Sequence, residues 1–461
     1  MNKIKKIISL FFFTILFHNG IFSQTKIPTI AVIGTGYVGL VTGTCFAHLG
    51  YSVICVDIDE KKINELKNGI VSIYEPQLTD LLRKELLHQK LFFTTQAEEA
   101  IKQADIVFIA VDTPMNDDGT AYMGYLNTAL ATIGKSLYKK TIICIKSTVP
   151  IGTTDYAEQL LLSHNVSPDL FDMVMNPEFL REGSAVYDFL NPDRIVIGSH
   201  SFEAAHTIKN LYEPLLQEKI PCVLVDPATA ETIKYASNSF LAVKISFINE
   251  IANLCEKTGA DICQVSHAMG LDKRIGSYFL KHGPGFGGSC FPKDCSALLQ
   301  IAKNHGVILR TLAACLQTNQ EQRTVPVKKL LEHLVTLDGK TVAVLGLSFK
   351  AGTNDIRNSC AITTIELLQK HGAHIKAYDP IANDAMKKLF PNICYCNSLE
   401  TALSDCDAAI IMTDWCEFKQ LENAPFHQIM KRPLIIDACN VLDCKNRFLQ
   451  HFVISKIGKK E

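Results

Sequence analysis

The stretch Thr29-Ile30-Ala31-Val32-Ile33-Gly34-Thr35-Gly36-Tyr37-Val38-Gly39 decides the fold. Thr29 to Ile33 is a short β-branched run that reads as a strand. It enters a G-x-G-x-x-G turn, and a helical stretch from Leu40 to Leu49 stops at Gly50. Ser52 to Val56 then reads as a second strand closing on Asp57. Strand, glycine turn, helix, strand and acid in one unit of about 30 residues is the context a dinucleotide site demands. Gly34 and Gly36 permit the tight turn and the approach of a pyrophosphate, while Gly39 lets helix pack on strand. The helix N-terminus at Tyr37 and Val38 offers amide N–H groups to the phosphates. Asp57 is expected to accept hydrogen bonds from ribose hydroxyls; its charge repels a 2′-phosphate, so NAD is expected over NADP.

Working outward, more strands follow at α/β spacing. Asp105 to Val111 ends in Asp112-Thr113-Pro114, Thr141 to Ile145 in Lys146-Ser147-Thr148, and Met173 to Met175 in Asn176-Pro177-Glu178. Continuous apolar runs of this kind suit a buried parallel sheet, whose ligands sit off the strands' carboxyl ends. Thr113, Thr148 and Glu178 are therefore expected on the cofactor and substrate side. From about Pro227 to Arg323 the pattern turns helical. Ile233, Ala236, Phe240, Val243, Phe247, Ile251 and Leu254 recur every three or four residues, which predicts one long helix, a spine between domains or at a subunit interface. The opening pattern then returns: Lys340 to Leu345, a helix through Ile362 to Lys370, Ile375 to Tyr378 ending in Asp379, and later Asp407 to Met412 and Pro433 to Ile436. Its glycine turn has lost the G-x-G-x-x-G spacing, so a mononucleotide is expected there rather than a second dinucleotide.

The expected fold class is thus α/β: two Rossmann-like doubly wound domains joined by a long central helix in a helical domain. The expected divisions are 1–26 as a signal-peptide-like or apolar extension, 27–215, 216–325 and 326–461. The chain has 461 residues, 47% hydrophobic and 20% charged, with a net charge of −1. Without a basic tract, nucleic acid is excluded as the main partner. The 16 cysteines are scattered, Cys394 and Cys396 being the closest pair, and no C-x-x-C occurs, which disfavours a metal site or a disulfide scaffold. Lys3, Lys5 and Lys6 precede an apolar run from Ile7 to Phe17, so residues 1–24 look like a secretory signal but are too short to span a bilayer. No stable membrane insertion is expected.

Gly283-Pro284-Gly285-Phe286-Gly287-Gly288-Ser289-Cys290-Phe291-Pro292-Lys293-Asp294 is the second informative stretch. A thiol, a cation and a carboxylate on a loop of bare backbone suit covalent chemistry; they equally suit a glycine-rich surface turn. The neighbouring polar residues also admit structural roles. Lys234 and Asn238 are i,i+4 and suit a solvated helix face, Glu178 a first-turn helix acid, and Asp294 a cap for a helix from Cys295.

From about Ile27 to Val441 the chain resembles the UDP-glucose/GDP-mannose 6-dehydrogenase family. The resemblance rests on GTGYVG at 34–39, YEP at 74–76, KSTVPIGT at 146–153, NPEFLREG at 176–183, NPDRIVIG at 191–198, AETIKYASN at 230–238, the GFGGSCFPKD loop and GLSFKAGTNDIR at 346–357. It implies oxidation of a nucleotide sugar's C6 hydroxymethyl to a carboxylate with two NAD molecules. It implies that Cys290 is the nucleophile, that Asp294 and Glu178 handle water, that Lys234 stabilises oxyanions, and that Asn238 orients sugar or water. Thr148 is implied in both catalysis and cofactor binding; Thr113, Glu182, Lys293 and Arg357 are implied on the NAD side. Phe179, Leu180, Phe286, Gly287, Phe291 and Lys350 are implied to hold the substrate. Arg274 matches a residue that reaches a neighbouring subunit's site, which implies a homodimer or higher homo-oligomer. Both NAD and nucleotide sugars are cytosolic pools, so a cytoplasmic protein is expected despite residues 1–24. The NPDR and GFGGSCFPKD segments lean to UDP-glucose as substrate; Arg181 leans to GDP-mannose, and a binding protein without turnover is a third reading. Cys439 replaces the arginine of the family's usual Asp-Gly-Arg-Asn, and Asp112 stands where a small residue is usual.

Overall fold

A computed structural model describes residues 27–216, 220–443 and 446–459. The extension 1–26, with its signal-like segment, lies outside the described residues. The first sheet has eight strands: β1 (Thr29–Ile33), β2 (Ser52–Val56), β3 (Leu91–Thr94), β4 (Ile106–Ile109), β5 (Thr141–Ile145), β6 (Phe171–Met175), β7 (Ile195–Gly198) and β8 (Cys222–Val225). Their order is β3-β2-β1-β4-β5-β6-β7-β8, parallel except for the antiparallel β6–β7 pair. The second sheet, order β11-β10-β9-β12-β13-β14, is parallel throughout. It comprises β9 (Thr341–Leu345), β10 (His374–Tyr378), β11 (Cys394–Tyr395), β12 (Ala408–Ile411), β13 (Leu434–Asp437) and β14 (Val453–Lys456). In both, the order reverses beside the first strand, the crevice where open α/β sheets take ligands.

Successive residues of the central strands feed opposite faces. Ile30 and Val32 of β1 join one core and Ala31 the other; Val342 and Val344 of β9 divide from Ala343 and Leu345 in the same way. Helix α1 (Tyr37–His48) follows β1 directly. Helix α2 (Pro227–Thr258) runs 32 residues, about 48 Å at 1.5 Å per residue. Asp226 caps its start by accepting from the Thr229 amide, Pro227 occupies its first turn, and Gly259 closes it in the left-handed region. Helices α3 (Phe291–Asn304) and α4 (Arg310–Gln322) pack along it, and helix α5 (Cys360–Lys370) follows β9 in the second sheet.

The spine is where the sequence expected it, and its apolar stripe divides: Ile233, Val243 and Ile251 pack against hydrophobic cores, while three larger members face outward. Phe240, Phe247 and Leu254 are 64%, 46% and 56% exposed. The buried side carries Glu231, Lys234, Tyr235, Asn238, Ser239, Ala242, Ser246 and Asn249. Small residues let neighbouring helices approach, and the polar ones find partners in the site below. A solvated face for Lys234 and Asn238 is therefore overturned. Strands β3, β7, β8, β11 and β14 went unanticipated, the shortest being only two residues. Among the described residues no cysteines are bonded to each other and ten of them are buried, and no helix is long and apolar enough to cross a membrane.

Candidate active site

The turn after β1 is shaped by contact. A Cβ on Gly34 would sit 2.6 Å from the Ala110 carbonyl oxygen, and one on Gly39 would collide with the Gly34 carbonyl. Gly36 is different: its Cβ direction is open, with only Asp112 Oδ1 at 3.6 Å. No side chain caps α1, so the amides of its first turn face the open space above Gly36. Asp57 accepts from the Thr35 amide at 3.0 Å and pairs with Lys62 Nζ at 3.1 Å. Burial works against its ionisation, but donors from Thr35, the Asp59 amide and Lys62 outweigh that and lower it to about 2. A bare backbone cradle with an ionised acid on the neighbouring strand fits a dinucleotide's pyrophosphate and ribose. Thr113 lies at the same strand ends, donating from Oγ1 to the Thr148 carbonyl at 2.7 Å.

Cys290 is the N-cap residue of α3, so the helix begins four residues before the expected Cys295. Asp294 is therefore no cap: it sits in the first turn, 0% exposed. Its carboxylate accepts from Asn238 Nδ2 of α2 at 2.6 Å and from Lys293 Nζ at 2.6 Å. Glu178 is no first-turn helix acid either, because the chain after β6 is loop there. It accepts from Lys234 Nζ at 2.8 Å and from the Leu180 amide at 2.6 Å. For Glu178 burial raises the carboxyl, but Lys234 and the Leu180 amide outweigh it, and the group stays below its ordinary range. Burial lowers Lys234, yet Glu178, Cys290 and Asp294 together hold it above the ordinary lysine value. The buried Lys234–Glu178 ion pair and the Asn238–Asp294 hydrogen bond leave an ammonium and a carboxamide in the cleft that holds the thiol.

Glu178, Lys234, Asn238 and Cys290 line one cleft of about 600 Å³ with Phe179, Leu180 and Phe291, while Asp294 is wholly buried and reaches it through Asn238. The sequence missed four further members. Lys146 Nζ lies 3.1 Å from Asn176 Oδ1, which also accepts from Tyr212 at 2.6 Å. Burial lowers Lys146 to about 8. The Arg194 guanidinium stacks 3.6 Å over the Phe179 ring. Lys146, Asn176 and Arg194 stand in the quoted motifs at strand ends, a usable signal; nothing local marks Tyr212.

An adjoining cleft of about 320 Å³ is lined by Glu182, Phe286, Gly287, Lys350 and Cys439. Its glycine loop is clamped by side-chain amides: Asn249 Oδ1 accepts from the Gly283 amide at 2.8 Å, and Asn319 Oδ1 from the Phe286 amide at 2.7 Å. Gly287 and Gly288 are needed for a reason the sequence hid. A Cβ on Gly287 would strike the Asn358 carbonyl, and one on Gly288 would lie 2.8 Å from the Phe349 ring. The loop is bare because the second sheet's unit presses on it. Arg357 pairs with Asp355 at 2.7 Å and approaches Glu182 at 3.5 Å. Arg274 stands apart, 89% exposed and paired with Asp272 at 2.6 Å.

Known proteins match the chain over most of its length. Residues 28–216, 228–321 and 343–444 match the NAD binding, central and UDP binding domains of the UDP-glucose/GDP-mannose dehydrogenase family. A UDP-glucose 6-dehydrogenase of Bacillus subtilis is 48% identical over 431 residues, 93% of each chain. One of Rhizobium meliloti is 41% identical, covering 94% of this chain and all of its own. The structure of a UDP-glucose dehydrogenase from Pyrobaculum islandicum superposes with a TM-score of 0.88 at 34% identity, over 95% of this chain and 99% of that one. With an uncapped glycine turn in its first sheet and a half-buried cysteine beside the Lys234–Glu178 ion pair, the chain belongs to the UDP-glucose/GDP-mannose dehydrogenase family, and its cofactor is NAD.

Proposed function

We propose that this protein oxidises the C6 hydroxymethyl of UDP-glucose to the carboxylate through a thiohemiacetal and a thioester on Cys290. The observation that carries the reading is Cys290 at the start of α3, between the Lys234–Glu178 and Asn238–Asp294 pairs. Bound NAD accepts the hydride in each of the two oxidations. Lys234 holds the C6 oxygen and stabilises the negative charge it gains. Cys290 then adds to the aldehyde and keeps it from escaping. Asp294 and Glu178 handle the water that cleaves the thioester, with Asn238 orienting it. Thr148 and Thr113 stand on the NAD side with Glu182, Lys293 and Arg357. Phe179, Leu180, Phe286, Gly287, Phe291 and Lys350 hold the nucleotide sugar.

The names of the relatives support UDP-glucose. Arg181, the residue that leans to GDP-mannose, is engaged by Asp188, with Nη2 at 2.6 Å from Oδ1. In this reading residues 27–215 bind NAD, 216–325 supply the spine, and 326–461 bind the nucleotide. The exposed stripe of Phe240, Phe247 and Leu254 supports pairing of two copies along α2, with Arg274 reaching the other copy. The protein works in the cytoplasm, where its substrates are made. Purified protein given NAD and UDP-glucose should release two NADH per sugar and leave GDP-mannose unreacted. Fewer than two NADH, or faster turnover of GDP-mannose, would refute the assignment. Sedimentation should give a dimer or larger; a monomer at working concentration would refute the pairing.

A further inference from the structure

Cys290 has a nucleophile's place and a reluctant thiol. Burial first, then the charges of Asp294 and Glu178, push it up to about 11, against the pull of Lys234 and Ser289. Near neutral pH its proton has to be taken as the sulfur attacks. Glu178 accepts from Lys234 and Leu180, and Asp294 from Asn238 and Lys293; the hydrogen-bond partner of the thiol is Ser289. The thiol's own hydrogen bond runs the other way. Its Sγ lies 3.5 Å from Ser289 Oγ, and Ser289 Oγ donates to Glu182 Oε1 at 3.1 Å. The side chain of Glu182 is only 11% exposed, and Thr353 Oγ1 donates to its other oxygen at 3.3 Å.

We propose that Ser289 and Glu182 form the proton relay that deprotonates Cys290 as it adds to the aldehyde. The proposal rests on the reading of Cys290 as nucleophile. In the step, sulfur bonds to the carbonyl carbon and its proton passes to the Ser289 oxygen. The proton of Ser289 moves to the Glu182 carboxylate. The carbonyl π pair becomes an alkoxide beside the Lys234 ammonium. No electrons leave the site until the hydride departs in the next step. Ser289 touches the reacting sulfur and is catalytic; Glu182 acts through it. The acceptor is suited to the task, because burial and then Asp355 raise it to about 7, against Arg357, Ser289 and Lys350. Below that pH it is protonated and the relay is closed; above it the relay is open. Thr353, Asp355 and Arg357 all come from the loop after β9, so the second sheet's unit sets the acceptor that serves the chemistry at Cys290.

The test is alkylation of Cys290 by iodoacetamide in the full-length protein, followed by mass spectrometry between pH 5.5 and 10. No sugar is required, so the result is independent of which sugar the enzyme takes. The wild-type rate should rise through about pH 7 and then level. Glu182→Gln and Ser289→Ala should react about a hundredfold more slowly at pH 8. Their rates should climb tenfold per pH unit toward the thiol's own ionisation, and Ser289→Thr should keep the wild-type profile. A Glu182→Gln profile superimposed on the wild type would overturn the relay. So would a Glu182→Gln enzyme whose only defect is a higher KM for NAD, since that is the signature of cofactor binding alone. Should Glu182→Gln fail to fold, the Ser289→Ala and Ser289→Thr pair decides the same point. Undiminished acid production by Cys290→Ser would instead refute the nucleophile reading.

Discussion

The two parallel sheets open with the same device and use it differently. In the first, three residues, Gly34 to Gly36, separate β1 from α1; in the second, residues 346–359 separate β9 from α5. An acid follows the neighbouring strand in each case: Asp57 after β2, Asp379 after β10. Asp57 is touched by Thr35, Lys62 and the Asp59 amide and keeps room for a ribose. Asp379 is saturated. It accepts from the amides of Leu347, Ser348, Ile381 and Ala382 and from Trp415 Nε1, and it is 2% exposed. Gly346 is walled in as well, since a Cβ there would lie 2.5 Å from Thr413 Cβ. The same strand–loop–helix unit therefore offers a dinucleotide cradle when its turn is short and open. It becomes a scaffold when its turn is long. The long turn is what carries Phe349, Lys350, Thr353, Asp355 and Arg357 across to the cysteine loop.

The comparison is broken most severely at Asp379. Asp379→Ala leaves several buried donors unpaired and should cost about 4 kcal/mol in chemical denaturation, with expression falling accordingly. Asp57→Ala should cost far less stability; equal losses would mean that the two acids do the same job. Next comes Gly36→Ala. Its φ of −64° suits any residue and its Cβ direction is open, so the fold should hold within about 1 kcal/mol. The KM for NAD should nevertheless rise at least about tenfold, because the methyl group stands where phosphate must approach. An unchanged KM would show that the pyrophosphate binds elsewhere. The smallest effect concerns acid. The native Asp57 carboxyl titrates at about 2, below its ordinary value. Its contribution is therefore present above the unfolded value and lost as pH falls through about 2. Asp57→Asn should flatten the acid limb by about 1 kcal/mol relative to wild type between pH 4 and 2, read from stability at a series of pH values. A parallel acid limb would mean that Asp57 gains nothing from its partners.

What was legible in the sequence follows from distance along the chain. The first turn, α1 and Asp57 lie within about 30 residues, so glycine spacing and strand periodicity were enough. Cys290, Lys234, Asn238 and Asp294 were legible through the family resemblance, not through their spacing. Hydrophobic periodicity found α2 but missed the residues that build the site, because Glu231, Lys234, Asn238 and Asn249 are polar and carry no apolar signal. Tyr212 joins Lys146 and Asn176 only through folding. Gly287 and Gly288 announced a close approach, but Phe349 and Asn358, the groups they admit, lie more than 60 residues on.

In the proposed mechanism Cys290 carries the sugar as a thioester between two oxidations. Asp294→Asn slows the water step while leaving the thiol in place. This protein should be mixed with NAD and UDP-glucose, quenched in acid and weighed intact and after digestion. The expected result is one uridine-diphosphoglucuronyl acyl group on the peptide that holds Cys290, removed by hydroxylamine and absent from the Cys290→Ser double variant. Acid product accumulating with no acyl group on Cys290 would contradict it.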